Sequence, residues 1–293
     1  MNTPVLSIVI VTFNNQREIR KCLESLSQLE DHFQIQLIII DNNSSDKTRS
    51  IIRTALNTFQ HHQLMTNAEN IGYTRAVNQG LKVCEGRYIL TLNPDTEIAP
   101  GIFPALFNRF EQDESLGIVS PQFRNSDGSI QPSCRRFPRH RDVLYNTMFL
   151  NRIFPYSKEF NYWKMGDFDH KSDKFVEQPQ GAFLLTHRDA LYEIGFLDER
   201  FPMFFSDVDW CRRFIDAGWK IGFVSGASII HHKGRSVSQK RISLIWSSHA
   251  SFSKYFVKYY RGIAWSFLNS LTYLYLMIFA AIRTICVAII HEK

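Results

Sequence analysis

The sequence predicts a doubly wound α/β fold, a mostly parallel sheet with helices on both faces, followed by a helical C-terminal segment. Three observations predict it. Short β-branched runs alternate with stretches of helical hydrophobic spacing. Each run ends in the polar residues that a turn into a helix requires. Near the C-terminus, residues 263–282 are uncharged and mostly apolar over the length needed to cross a hydrocarbon core.

The elements follow in order. Residues 5–12 form the first run, closed by Asn14 and Asn15, and residues 16–29 then place Ile19, Cys22, Leu23 and Leu26 on one helical face. The unit recurs: residues 36–40 end in Asp41, the turn 42–45 leads to Asp46 as an N-cap, and residues 48–59 read as helix. A third strand at 63–65 is followed by the turn Asn70-Ile71-Gly72 and a helix carrying Ala76, Val77, Leu81 and Val83. Residues 88–92 are apolar along most of their length, as a strand covered on both faces must be. In such a sheet ligands bind beyond the carboxyl ends of the strands, where Asn14, Asp41 and residues 93–95 lie. Residues 123–175 have no clear period and read as loops and short elements over one edge. Order returns with a strand at 181–186, helices near 189–194 and 207–217, a strand at 220–224 and a strand-like stretch at 227–230.

With 44% hydrophobic and 14% aromatic residues in 293, the chain can bury a real core, which excludes a disordered protein. The net charge of +6 suits an anionic partner without choosing between nucleic acid, lipid headgroups and diphosphates. Five scattered cysteines without C-x-x-C spacing suggest neither a disulfide framework nor a zinc ribbon, and favour a reducing compartment. No signal peptide is expected, since residues 1–4 run directly into the first strand. The absence of a Walker loop and of G-x-G-x-x-G disfavours a P-loop kinase or a nicotinamide enzyme.

Four places carry chemistry. Asp41, an acceptor-only carboxylate at the end of a buried strand, suits the N3–H of uracil or thymine, and equally an ordinary turn. Asp95, in Asn93-Pro94-Asp95-Thr96, is a candidate ligand for a hard divalent ion that bridges diphosphate oxygens; the alternative is a Pro-Asp turn. Asp207 and Asp209 interrupt an aromatic stretch at the start of a helix, where apolar surroundings raise a carboxylate toward the range of a general base. Asp207 is the expected base and Asp209 its support, against the reading of a simple N-cap. His231, at a strand end, can complete a metal shell, with Lys233 or Arg235 meeting phosphate oxygens, or be a capped surface residue.

These pieces, together with Ser7–Asn15 in the first run, Asn70-Ile71-Gly72 with Ala76-Val77-Asn78-Gln79-Gly80, Gly181-Ala182-Phe183 and His231-x-x-Gly-x-Ser, resemble the family 2 inverting glycosyltransferases of the Rossmann-like GT-A fold. The likeness runs to roughly residue 240 and is greatest to the bacterial rhamnosyltransferase-like branch. It implies that Thr12, Asn14, Asp41, Asn70 and Gly72 hold the donor nucleoside, with Arg75, Asn78 and Asn93 on the same ligand. It implies Asp95 and His231 on a divalent metal, Mg2+ or Mn2+, and Asp207 as the base. Asn93 and Asp95 stand at the ends of the family's D-x-D motif, whose first position here is an amide; Ser206 stands where many relatives carry Glu. A single carboxylate binds a metal less tightly than a pair.

The resemblance divides the chain into a nucleotide-sugar-binding half at 1–122, an acceptor-binding and catalytic half at 123–240, and C-terminal amphipathic and hydrophobic helices at 241–293. It implies transfer of a sugar, rhamnose from dTDP-rhamnose first among candidates, from a nucleotide diphosphate donor to a polyprenyl-diphosphate-linked glycan during cell-surface polysaccharide synthesis such as O-antigen. Other UDP- or dTDP-hexoses remain open as donors. Nucleic acid is not an expected partner. Residues 246–260 mix aromatics with Lys254 and Lys258, Arg261 follows, and the apolar stretch comes next, a pattern that places this side at the cytoplasmic face of a bacterial inner membrane. Arg283 interrupts the apolar run, so an interfacial helix stands beside a single span. Two competing readings are a catalytically silent carbohydrate- or lipid-binding scaffold and a glycoside hydrolase; the second would use a facing carboxylate pair and no nucleotide.

Overall fold

A computed structural model of the chain describes residues 4–29, 33–232 and 241–291. Strand β1 (Leu6–Thr12) is buried along its whole length, and successive strand side chains point to opposite faces. Leu6, Ile8 and Ile10 therefore enter one apolar layer and Val9 and Val11 the other. Helix α1 (Ile19–Ser27) covers the first layer with Ile19, Cys22, Leu23 and Leu26. β2 (Ile35–Asp41) runs parallel to β1, and α2 (Thr48–Leu56) returns over the same layer as α1. The N-cap of α2 is Lys47, one residue later than expected, and the Asp46 carboxylate just ahead of it accepts the Thr48 N–H at 2.9 Å. β3 (His61–Thr66) is the partly exposed edge, and α3 (Tyr73–Leu81) packs Ala76, Val77 and Leu81 into the opposite layer. β4 (Tyr88–Leu92) lies parallel to β1 on its other side.

No element is expected from the pattern of residues 99–122, yet after β5 (Thr96–Ile98) the chain forms α4 (Ile102–Gln112) and the nine-residue β6 (Leu116–Arg124). Proline hides both. Pro104 sits in the first turn of α4, where its missing N–H is spare. Pro121 in β6 faces the point where the pairing with the neighbouring strand slips, so its missing donor breaks no regular ladder.

The irregular region resolves into short pieces: β7 (Ile130–Gln131), β8 (Cys134–Arg135), α5 (His140–Thr147), α6 (Leu150–Ile153), β9 (Lys174–Phe175) and β10 (Gln178–Pro179). β11 (Phe183–His187) then inserts antiparallel between β4 and β6. After α7 (Arg188–Ile194) and α8 (Ser206–Asp216), β12 (Lys220–His231) joins the two expected strands into one, bulged between Val224 and Ser228. The sheet order is β3-β2-β1-β4-β11-β6-β12-β5, parallel across β3-β2-β1-β4 and mixed beyond. The border expected at 122/123 falls inside β6.

Helix α9 (Arg241–Tyr259) sends Tyr255 and Phe256 into the core, where Phe205 meets Tyr255 at 5.4 Å between ring centroids. Helix α10 (Ile263–His291) packs on α9 and buries Leu276 and Ala280, while Phe267, Leu274, Ile278 and Ile282 stay exposed. Residues 263–289 are long and apolar enough to cross a membrane, with a mean hydropathy of 1.9 in their most apolar window.

Candidate active site

At the carboxyl ends of β1 and β2 a polar rim is tied together across the two strands. Thr12 donates its hydroxyl to Asp41 Oδ1 at 3.2 Å, while Asp41 Oδ2 accepts the Ser44 N–H at 3.0 Å and forms an ion pair with Arg49 Nε at 2.9 Å. Asp41 is fully buried by these partners, and Oδ1 keeps a free lone pair. Asn14 adopts the left-handed region at φ 55° and bridges to the β2 loop: its N–H reaches Ser44 Oγ and its Oδ1 accepts the Ser45 N–H. Asn42, which the sequence pattern did not single out, holds the next turn. Its amide contacts Asn70 Oδ1 and the Gly72 carbonyl, and its Oδ1 accepts from Asn67 and Ile71. Gly72 has φ 89°, a conformation that only glycine adopts without strain, and it opens α3.

Beyond β4, Asn93 lines a cleft of about 210 Å³ together with Tyr73, Gln180, Gly181 and Asp207. Asp207 Oδ2 accepts the Gly181 N–H at 3.0 Å and the Gln178 amide at 3.1 Å, and Oδ1 accepts the Val208 N–H. Burial raises the Asp207 carboxyl above its ordinary value; the backbone donors of Gly181 and Val208 and the nearby Arg135 oppose this without reversing it. The side chain is half-buried, so it keeps access to the cleft.

Asp95 and His231 meet where β5 pairs with β12, His231 opposite Thr96. The Gln131 amide donates to Asn125 Oδ1 and to the His231 carbonyl, so its oxygen faces His231 Nδ1 at 2.8 Å and must accept from it. That leaves His231 Nε2 with its lone pair toward Asp95 Oδ1, 3.5 Å away and too far for a good hydrogen bond. Asp95 Oδ1 is buried and has no partner among the described residues. A lone nitrogen donor and an orphaned carboxylate oxygen at this separation fit two neighbouring ligands of a divalent cation, with Gln131 fixing the imidazole tautomer. Among the described residues no cluster of three or more such ligands occurs, so donor oxygens and water would complete the shell.

Tyr73 links the two rims. It follows Gly72, lines the Asp207 cleft, and its phenol is pushed above its ordinary value by burial and then by the charges of Asp207 and Asp95. Both carboxylates therefore act on one group.

Two expectations are corrected. Asp209 does not support Asp207. Positions two apart on a helix do not share a face, and Asp209 points away into the core, where it holds Arg213 Nε at 3.1 Å, the Tyr259 hydroxyl at 2.8 Å and the Lys258 ammonium. Asn78 is buried beneath the rim with its amide committed to Leu197 and Glu199. Arg75, which is exposed, pairs with the same Glu199 at 3.2 Å. Lys233 and Arg235 lie outside the described residues. Tyr73, Gln131, Arg135 and Gln178 escaped the sequence reading, since a helix-start tyrosine, two strand glutamines and one of many arginines carry no motif.

Comparisons agree with the fold. The family described as Glycosyl transferase family 2 matches residues 7–187. The N-acetylglucosaminyl-diphospho-decaprenol L-rhamnosyltransferase of Mycobacterium tuberculosis is 28% identical over 262 residues, 85% of this chain and 83% of its own length. Rhamnosyltransferase WbbL of Escherichia coli K12 is 25% identical over 246 residues, 80% of this chain and 86% of its own. The solved mannosyltransferase of Pyrobaculum calidifontis, in complex with GDP-Man and Mn2+, superposes with a TM-score of 0.58 at 15% identity, covering 98% of this chain and 76% of that one.

Proposed function

The chain belongs to glycosyl transferase family 2, and on that premise we propose that it transfers a hexose with inversion from a nucleotide diphosphate to a lipid-linked glycan, Asp207 acting as general base. One observation carries the reading: the Asp207 carboxylate, raised by burial, opens into a cleft that it shares with Asn93 beyond the end of β4. The acceptor hydroxyl gives its proton to Asp207 as its oxygen bonds to the sugar C1. The bond from C1 to the donor phosphate breaks on the opposite face, and its electron pair leaves with the nucleoside diphosphate. Asp95 and His231 would hold a divalent cation, Mg2+ or Mn2+, which would neutralise charge on the diphosphate. Thr12, Asn14, Asn70 and Gly72 frame the nucleoside, and Asp41, whose carboxylate is fully buried in the free chain, takes the N3–H of thymine or uracil once its covering partners give way.

Rhamnose from dTDP-rhamnose is the sugar this reading favours, because two relatives that match four fifths or more of the chain are rhamnosyltransferases. A polyprenyl-diphosphate-linked sugar is the favoured acceptor, supported by the acceptor in the mycobacterial relative's name. The long apolar α10, with exposed Met148, Phe149, Ile153 and Phe154 on and beside the helices at its flank, supports work at a membrane surface, the cytoplasmic face of a bacterial inner membrane. The test is Asp207→Asn: transfer of labelled sugar from dTDP-rhamnose into extractable lipid falls by about 100-fold or more, while nucleotide affinity stays. Undiminished turnover removes Asp207 from the mechanism.

A further inference from the structure

Beside the cleft, two cations lie together with no carboxylate paired to either among the described residues. Arg135 is opposite Gln178 in the small sheet of β8 and β10, and the Gln178 amide donates to Asp207 Oδ2. On the other side, the Arg136 N–H donates to the Trp163 carbonyl at 2.9 Å, which sets Trp163 and Lys164 against the strand. The Arg135 guanidinium lies 5.4 Å from the Trp163 ring centroid. All three side chains are half-buried. Nearby Arg136 and Arg139, by contrast, are each bound by two oxygens of one carboxylate, Asp167 and Asp142.

Burial holds Arg135 below its ordinary proton affinity, opposed by Asp207 and then Cys134. Burial holds Lys164 down as well, and Arg135 and then Arg152 push it further. Around the pair, Trp163 Nε1, Ser133 Oγ, Gln178 Oε1 and Gln180 Oε1 are buried and lack partners among the described residues. Desolvated like charges and unpaired polar atoms both cost free energy. One class of ligand relieves both: an anion with several acceptor oxygens joined to a hydroxylated sugar.

We propose that Arg135 and Lys164, with the Trp163 indole N–H, form the diphosphate subsite of the acceptor, so that its first sugar lies over Gln178 and Gln180 with a hydroxyl at Asp207. This rests on the glycosyl-transfer reading, yet it is testable apart from it. The donor also carries a diphosphate, and two binding arms separate the sources. In calorimetry on the full chain without metal, farnesyl diphosphate binds, and Arg135→Gln and Lys164→Gln each weaken it tenfold or more. Arg135→Lys retains part of the affinity, and farnesol binds all forms equally. In the second arm, dTDP with Mn2+ binds wild type and variants alike. Unchanged farnesyl diphosphate affinity in both glutamine variants overturns the subsite, and so does a parallel loss of dTDP affinity, which would assign the cations to the donor. Failure of dTDP to bind wild type, with the first arm as stated, sinks the donor reading and leaves the subsite standing.

Discussion

The Gly181 N–H donates to Asp207 Oδ2 at 3.0 Å, and a Cβ placed on that glycine would stand 2.9 Å from the Asp207 Cβ. The two residues lie 26 positions apart, Gly181 just before β11 and Asp207 at the start of α8, with α7 between them in the chain. The added carbon would press on the side-chain carbon that carries the carboxylate, so relief would require the base itself to move.

Gly181→Ala therefore lowers kcat by about 100-fold through displacement of Asp207, since a misplacement on the order of 1 Å costs that much. Nucleotide affinity is retained. Steady-state kinetics beside a nucleotide titration check this, and a loss confined to nucleotide binding contradicts it.

The pH profile follows from the raised Asp207 carboxyl. As a base it must be ionised, so the acid limb of kcat/KM lies above the ordinary carboxylate range. Stability has the opposite sign. The folded chain holds this proton to higher pH than the unfolded chain, so ionisation costs stability as pH rises from the unfolded value through the folded one, and below both values the cost is absent. The difference in Tm between Asp207→Asn and wild type thus moves in favour of the variant as pH rises; a difference independent of pH rejects the assignment.

Gln131 fixes the His231 tautomer. Gln131→Met weakens Mn2+ binding in the presence of dTDP by about 10- to 100-fold, the usual cost of losing an outer partner of a metal-binding histidine. Calorimetric titration measures it, and equal affinity would mean that His231 is not a ligand.

Lys258 pairs with buried Asp209 and, at 2.8 Å, with Asp198. Lys258→Met strands the Asp209 charge and destabilises the fold by about 3–5 kcal/mol. Urea denaturation checks the size; a change under about 1 kcal/mol would show that Arg213 and Tyr259 suffice.

Leu274 and Ile278 are exposed on α10. Replacing both with Lys leaves the fold intact and releases the chain from vesicles, since each lysine at mid-helix costs about 2.5–3.5 kcal/mol in a bilayer. Flotation on a lipid gradient reads the outcome, and full retention of the double variant excludes α10 as the anchor.

Local pattern was enough for the parallel half of the sheet. Its apolar strands end in Thr12, Asp41 and Asn93, and a parallel register carries such ends to one rim whatever the rest of the chain does. Asp207 was legible for a similar reason, as a carboxylate opening a helix in aromatic surroundings. The α4–β6 stretch was not, because Pro104 and Pro121 mask positions where a missing N–H costs nothing, and that is a property of neighbours absent from the local sequence.

The division within the site has the same physical origin. Residue type and element ends are written along the chain, so the candidates for base, metal and nucleoside contact could be named from it. Which way each side chain turns is set by packing between distant segments: Asp209 lies two positions from Asp207 yet answers to α9, and Asn78 answers to Glu199. Gln131 behind His231, Tyr73 in the cleft with Asp207, and Arg135 beside Trp163 all depend on contacts that only the folded chain creates.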